Sequence, residues 1–133
     1  MHFFFLSRPA AWGLLLLSLG GSLLLGGCAG RGGFTESGKA SFYADKFNGR
    51  KTASGVPYRP GKLTAAHNTL PFGTVVRVTN PRNNRSVKVT VNDRGPHAKG
   101  RIIDLSKKAA RKIDIIDAGV APVQLRVVRR ASK

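Results

Sequence analysis

The chain has 133 residues, with 23 Lys and Arg against six Asp and Glu, and a formal charge of +17. That length leaves room for one domain. The single cysteine excludes a disulfide within the chain, and the large positive charge predicts affinity for polyanions.

In chain order, Met1–Pro9 carries one basic residue, Arg8, and Ala10–Leu25 (AAWGLLLLSLGGSLLL) is almost wholly apolar. The apolar run is shorter than the ~20 residues a bilayer span needs. A basic start before a short apolar run reads as a secretory signal. Leu25-Gly26-Gly27-Cys28 closes it and looks like a bacterial lipoprotein box. Small residues at 26 and 27 admit a peptidase, and the lone thiol is available for alkylation; the plainer alternative is an ordinary signal peptide followed by a buried cysteine. The expectation is a signal peptide over residues 1–27, palmitate-type lipidation at Cys28, and a lipidated Gly-rich tether over residues 28–37. Stable anchoring takes more than one acyl chain, and bacterial lipoproteins carry several. Ala29 after the cysteine, rather than Asp, implies by resemblance to that class an anchor in the outer membrane, facing the periplasm. Export turns the charge away from nucleic acid, the first partner such a balance suggests. It points instead to phospholipid head groups, lipopolysaccharide or the cell wall.

The folded domain is expected over residues 38–130, with 131–133 a tail. Lys39–Tyr43, Leu63–Ala66, Arg101–Leu105 and Val123–Val128 read as short strands. Val75–Thr79 and Val87–Val91 alternate cleanly, with NPRNNR between them suited to a hairpin. Ser106 fits an N-cap for a helix over Lys107–Ile113, with Ala109, Ala110 and Ile113 on one face. Lys107 and Lys108 oppose the dipole in its first turn, but Ala, Arg and Lys are strong helix formers. Many short strands, one short helix and long loops make a mainly β protein built as a small barrel.

Two of the six acidic residues, Asp93 and Asp104, fall within VNDRGPHAKGRIIDLS, residues 91–106. Asp93 ends an apolar alternating run beside Arg94-Gly95-Pro96, where the chain turns. Strand alternation sends Asp93 and Arg94 to opposite faces; on the same face the Arg would keep the carboxylate ionised. Asp93 is either a catalytic carboxyl or a turn cap. His67 is either functional or a hydrogen-bonded core histidine. Asp104, between Ile103 and Leu105, reads as structural, pairing with Arg94 or Arg101. Tyr43, Phe47 and Tyr58 are candidate ligand-stacking rings, although aromatics are more often core. His97 reads as solvated. Scattered Asp and two histidines do not make a metal site, and neither metal nor cofactor is expected.

GKASFYADKFNGRKTASG, LTAAHNTLPFGTVVRVTN, SVKVTVNDRGP and GRIIDLSKKAA, in that order, resemble the rare lipoprotein A (RlpA) family from Gly38 to about Arg130. The resemblance implies a six-stranded double-psi β-barrel, as in barwin-like proteins and expansins, and an endolytic lytic transglycosylase. Such enzymes cleave peptidoglycan between N-acetylmuramic acid and N-acetylglucosamine, prefer strands stripped of stem peptides, and leave 1,6-anhydro ends. It places Asp93 and His67 on the family's catalytic positions. Tyr43, Tyr58 and Arg94 become candidate substrate-binding residues, glycan strands the partner, and a monomer the expected state. Members often carry a C-terminal wall-binding domain of the SPOR type, which is not expected within residues 38–133. The family has a Glu where this chain has Val56, and Asp45 is the nearest spare carboxylate. An apolar Val56 beside Asp93 is expected to withhold solvent and help it keep a proton. The alternative is a lipoprotein that binds glycan strands without cutting them.

Overall fold

The computed structural model describes residues 33–133; the signal segment and Cys28 lie outside the described residues. Six strands follow: β1 (Thr35–Phe42), β2 (Thr64–Ala66), β3 (Val75–Asn80), β4 (Arg85–Asp93), β5 (Arg101–Leu105) and β6 (Ala121–Arg129). One α-helix, α1 (Lys107–Lys112), precedes β6, and a single 3-10 turn covers Asp45–Phe47.

The β3–β4 hairpin is the most regular part. Val76, Val78, Val87, Val89 and Val91 point inward and are buried, while Arg77 and Lys88 are exposed. Val76 pairs with Val89 and Val78 with Val87, so the two apolar faces coincide. The connecting turn needs a left-handed residue, supplied by Asn84 at φ 62°. Asn80, buried at the turn's start, donates its side-chain amide to the Ile113 carbonyl at 2.9 Å and accepts from the Arg82 amide at 3.0 Å. That fastens the hairpin to the end of α1.

The strands close into a barrel in the order β1-β5-β2-β4-β3-β6. The β1·β5 and β2·β4 pairs are parallel; the remaining pairs are antiparallel. Ile103, Leu105, Val123 and Leu125 join the valines in one core, and Ala109, Ala110, Ile113 and Ile115 pack α1 and its exit onto it. Ser106 caps the helix as expected, its Oγ accepting from the Ala109 amide at 3.3 Å. The unfavourable cation in the first turn is offset by Asp45, which holds the Lys107 ammonium at 2.7 Å.

At the N-terminus, β1 begins within the segment read as tether. Thr35, Glu36 and Ser37 pair with Arg126, Leu125 and Gln124 of β6. Their inward positions are Glu36 and Gly38, so no apolar alternation announces the strand. Gly38 is needed there, because a Cβ on it would lie 2.7 Å from Ile102 Cγ2. At the other end of the barrel wall, β4 runs on to Asp93, opposite Ala66 of β2.

Candidate active site

The end of β4 delivers Asp93 to the floor of a groove of about 500 Å³, walled by Tyr43, Phe47, Arg50, Lys51, Thr52 and His97. Asp93 Oδ1 accepts from the Ala53 amide at 2.8 Å and the Arg94 amide at 2.9 Å. Oδ2 accepts from the Tyr43 hydroxyl at 2.5 Å. A carboxylate has about four lone-pair sites. Three are filled by these donors, and the fourth, on Oδ2, is left for a ligand. Burial, then the hydrogen bond to Asp93 and its charge, push the Tyr43 hydroxyl's pKa far above the usual phenol range. It therefore stays protonated and acts as a donor.

The Ala53 amide is aimed by its own loop. The Thr52 hydroxyl and amide both donate to the Val56 carbonyl, at 2.6 and 3.0 Å, and the Ser54 amide donates to the Asn92 carbonyl at 3.2 Å. Gly95, at φ 120°, then takes the chain away beneath Asp93 in a conformation closed to residues with a Cβ. The loop turns Val56 outward; it is 55% exposed and does not line the groove. Val56 thus leaves Asp93 unshielded, contrary to the sequence expectation. The groups that face the carboxylate are donors.

Tyr43 stacks on Tyr58, with ring centroids 4.3 Å apart and planes 26° apart. Tyr58 is 3% exposed, and its hydroxyl accepts from the Lys107 amide at 3.2 Å. Burial raises its pKa as well. Tyr58 is therefore the backing of the groove, and Tyr43, half-buried, is the ring nearer its opening. Asp45 is spent on Lys107 and does not line the groove. Asp104 accepts from the Ser41 hydroxyl at 2.9 Å and lies 3.9 Å from Arg101 Nε, a structural role as read.

His67 and Arg94 are close to Asp93 in the backbone; Arg94 lines the groove, while the His67 ring faces elsewhere. The His67 amide donates to the Asp93 carbonyl at 3.1 Å. Its ring is buried, with Nε2 2.9 Å from Glu36 Oε2 and Nδ1 accepting from the Thr69 and Leu70 amides at 3.2 and 3.1 Å. Arg94 Nη1 donates to the His67 and Leu70 carbonyls at 3.0 and 2.8 Å, and the guanidinium covers the Phe72 ring at 4.0 Å. With Nη1 on two main-chain carbonyls, Arg94 braces the groove wall. Of the residues singled out in sequence, Asp93, Arg94, Tyr43, Phe47, Tyr58 and His97 come together at the groove, and the His67 ring does not. Glu36, the Ala53 amide, Arg50 and Lys51 were missed. The RKTASG motif held a signal for the last three: a Gly- and Ser-containing loop offers bare amides, and Arg50 and Lys51 are adjacent cations beside it. Among the described residues no three His, Cys, Asp or Glu side chains gather to hold a metal ion.

A closed six-stranded barrel with a hydrogen-bonded carboxylate at a strand end defines a double-psi β-barrel domain with a groove. Solved structures of that shape include the Streptomyces papain inhibitor (TM-score 0.60, 29% identity, covering 73% of this chain and 96% of that one) and the expansin of Clavibacter michiganensis (TM-score 0.58, 25% identity, covering 75% and 53%). An inhibitor and an expansin on one barrel show that the fold alone does not set the chemistry. The model of a family described as "Lytic transglycolase" matches residues 35–125, and the chain belongs to that family. Among curated relatives, the endolytic peptidoglycan transglycosylase RlpA of Campylobacter jejuni is 55% identical over 96 residues, covering 72% of this chain and 35% of the relative. The proteins of that name from Pasteurella multocida and Vibrio cholerae are 56% and 54% identical over 97 and 96 residues, covering 73% and 72% of this chain. The chain spans about a third of the length of these relatives.

Proposed function

We propose that the chain is an endolytic peptidoglycan transglycosylase acting on denuded glycan strands. The observation that carries this reading is Asp93, held by three donors with one lone-pair site open to a groove. Family membership and the relatives' names support it. In the reaction, the bond from C1 of N-acetylmuramic acid to O4 of N-acetylglucosamine breaks. A bond from C1 to O6 of the same muramic residue forms. The proton lost by O6 ends on the leaving O4, so atoms balance without a water molecule. The attack is intramolecular, which removes the entropic cost of recruiting a nucleophile. Asp93 Oδ2 is the relay for that proton, one carboxyl serving both as acid and as base. Its negative charge also faces the cation-like sugar as the bond breaks. Tyr43 holds Oδ2 in line, and the cationic rim of Arg50 and Lys51 suits the lactyl carboxylates of muramic residues. Cys28 serves as the lipid anchor that keeps the domain at the outer membrane, within reach of the wall.

A non-cutting glycan-binding module is the second reading, favoured by one observation. The position of the family's Glu is an exposed Val56, which cannot stabilise charge. Digestion of purified denuded strands decides between them. The enzyme reading predicts fragments with anhydro ends from the wild type, reduced at least ~10²-fold by Asp93→Asn. Intact strands that are nevertheless retained by the protein would establish the binding module.

A further inference from the structure

We infer that Glu36 is a positioning residue for Asp93, acting through the His67 ring. The inference rests on the reading that Asp93 is the reacting carboxylate. Glu36 is the only glutamate of the chain. It takes an inward position on β1, opposite the buried Leu125 of β6, so its carboxylate enters the mouth of the barrel. There it meets His67 Nε2 at 2.9 Å. The opposite ring nitrogen, Nδ1, accepts from two amides, those of Thr69 and Leu70. A nitrogen that accepts twice carries no proton. The ring proton is therefore on Nε2, and His67 donates to Glu36. Phe34 packs edge-on to the ring, centroids 6.0 Å apart, and completes its enclosure.

The fixed ring sets the course of the loop from His67 to Leu70, and that loop holds the backbone around Asp93. The His67 amide binds the Asp93 carbonyl. The His67 and Leu70 carbonyls bind the Arg94 guanidinium. Asn68 accepts from the Gly95 amide at 3.1 Å and donates to the Pro96 carbonyl at 2.7 Å. Four consecutive residues, 93 to 96, are thus clamped to a loop keyed by one imidazole. Without an acceptor at Glu36 the ring is free to change tautomer or rotate, the two amide contacts at Nδ1 weaken, and Asp93 loses its aim at the groove. A displacement of about 1 Å at a reacting group costs ~10²-fold in rate. The family's histidine position then acts on the carboxylate through the main chain, with no contact between the ring and the sugar.

The test compares Glu36→Ala, which removes the acceptor, with Glu36→Gln, which keeps an oxygen for Nε2–H and drops the charge. Should Glu36→Ala not fold, Glu36→Met fills the position without an acceptor. The readouts are kcat and KM on denuded strands, ¹⁵N NMR of the His67 ring, and hydrogen exchange at the Thr69 and Leu70 amides. Glu36→Ala is expected to lower kcat ~10²-fold with KM little changed, to mix the tautomers and to speed exchange at both amides. Glu36→Gln is expected to restore all three. A wild-type tautomer and wild-type kcat in Glu36→Ala overturn the inference, as does a loss confined to KM. If the wild type releases no anhydro ends, the catalytic reading fails by itself. The ring spectrum and amide exchange then decide whether Glu36 keys the loop, and unchanged values in Glu36→Ala refute it.

Discussion

Replacing Tyr43 by Phe removes one oxygen and tests how Asp93 is held. The hydroxyl donates to Asp93 Oδ2 at 2.5 Å, in the range of short charge-assisted O–H···O⁻ bonds. The ring itself stays useful, because Phe keeps the stack on Tyr58 at 4.3 Å and opens no cavity. A hydrogen bond to a charged group contributes ~1.5–3 kcal/mol. If Oδ2 is the proton relay and Tyr43 sets its direction, most of that is lost in the transition state. At 1.36 kcal/mol per tenfold, the expected fall in kcat is ~10–100-fold. The assay is the initial rate of anhydro-ended fragment release from denuded strands, read beside strand retention and urea unfolding. Retention is expected to hold, since the groove keeps its shape. A Tyr43→Phe protein that cuts as fast as the wild type would show that the hydroxyl does not direct Oδ2. Tyr43 would then be only a cover on Tyr58.

Val56 is turned to solvent and does not line the groove, so Val56→Glu is expected to leave the cutting rate on denuded strands little changed; a rise of ~10²–10³-fold, the size of a new transition-state contact, would show that this loop closes over the sugar. Arg94→Ala leaves the His67 and Leu70 carbonyls without their charged donor, and urea unfolding should show a loss of ~2–3 kcal/mol. A rise in KM at unchanged stability would instead mark Arg94 as a sugar ligand. Cys28→Ser should release the protein from the membrane fraction or block signal processing; unchanged fractionation and mature mass would end the lipoprotein reading.

The parts of the fold that the sequence discloses are those where local pattern and tertiary role agree. Val76 and Val78 alternate with Arg77 because one side of β3 is core and the other water. Ser106 announces α1 because its hydroxyl satisfies a helix-end amide. Asp93 stands out as a carboxylate closing an apolar strand. Hidden features depend on barrel closure. The start of β1 has Glu36 and Gly38 inward, with no apolar period to read, so it passes for a linker. Glu36 reaches His67 across 31 residues and Tyr43 reaches Asp93 across 50, contacts that no local spacing reports. Val56 shows the limit of neighbour arguments. It lies on the loop whose Ala53 amide binds Asp93, but the Thr52–Val56 turn sends its side chain to solvent.

In the proposed reaction a proton passes from O6 to O4 through Asp93 and no water enters the product. Digestion of denuded strands in ¹⁸O-water, with mass spectrometry of the new ends, measures this directly. Anhydro ends free of ¹⁸O are expected from the wild type, and their loss by at least ~10²-fold in Asp93→Asn. Reducing ends that carry ¹⁸O, or anhydro ends released at full rate by Asp93→Asn, would contradict it.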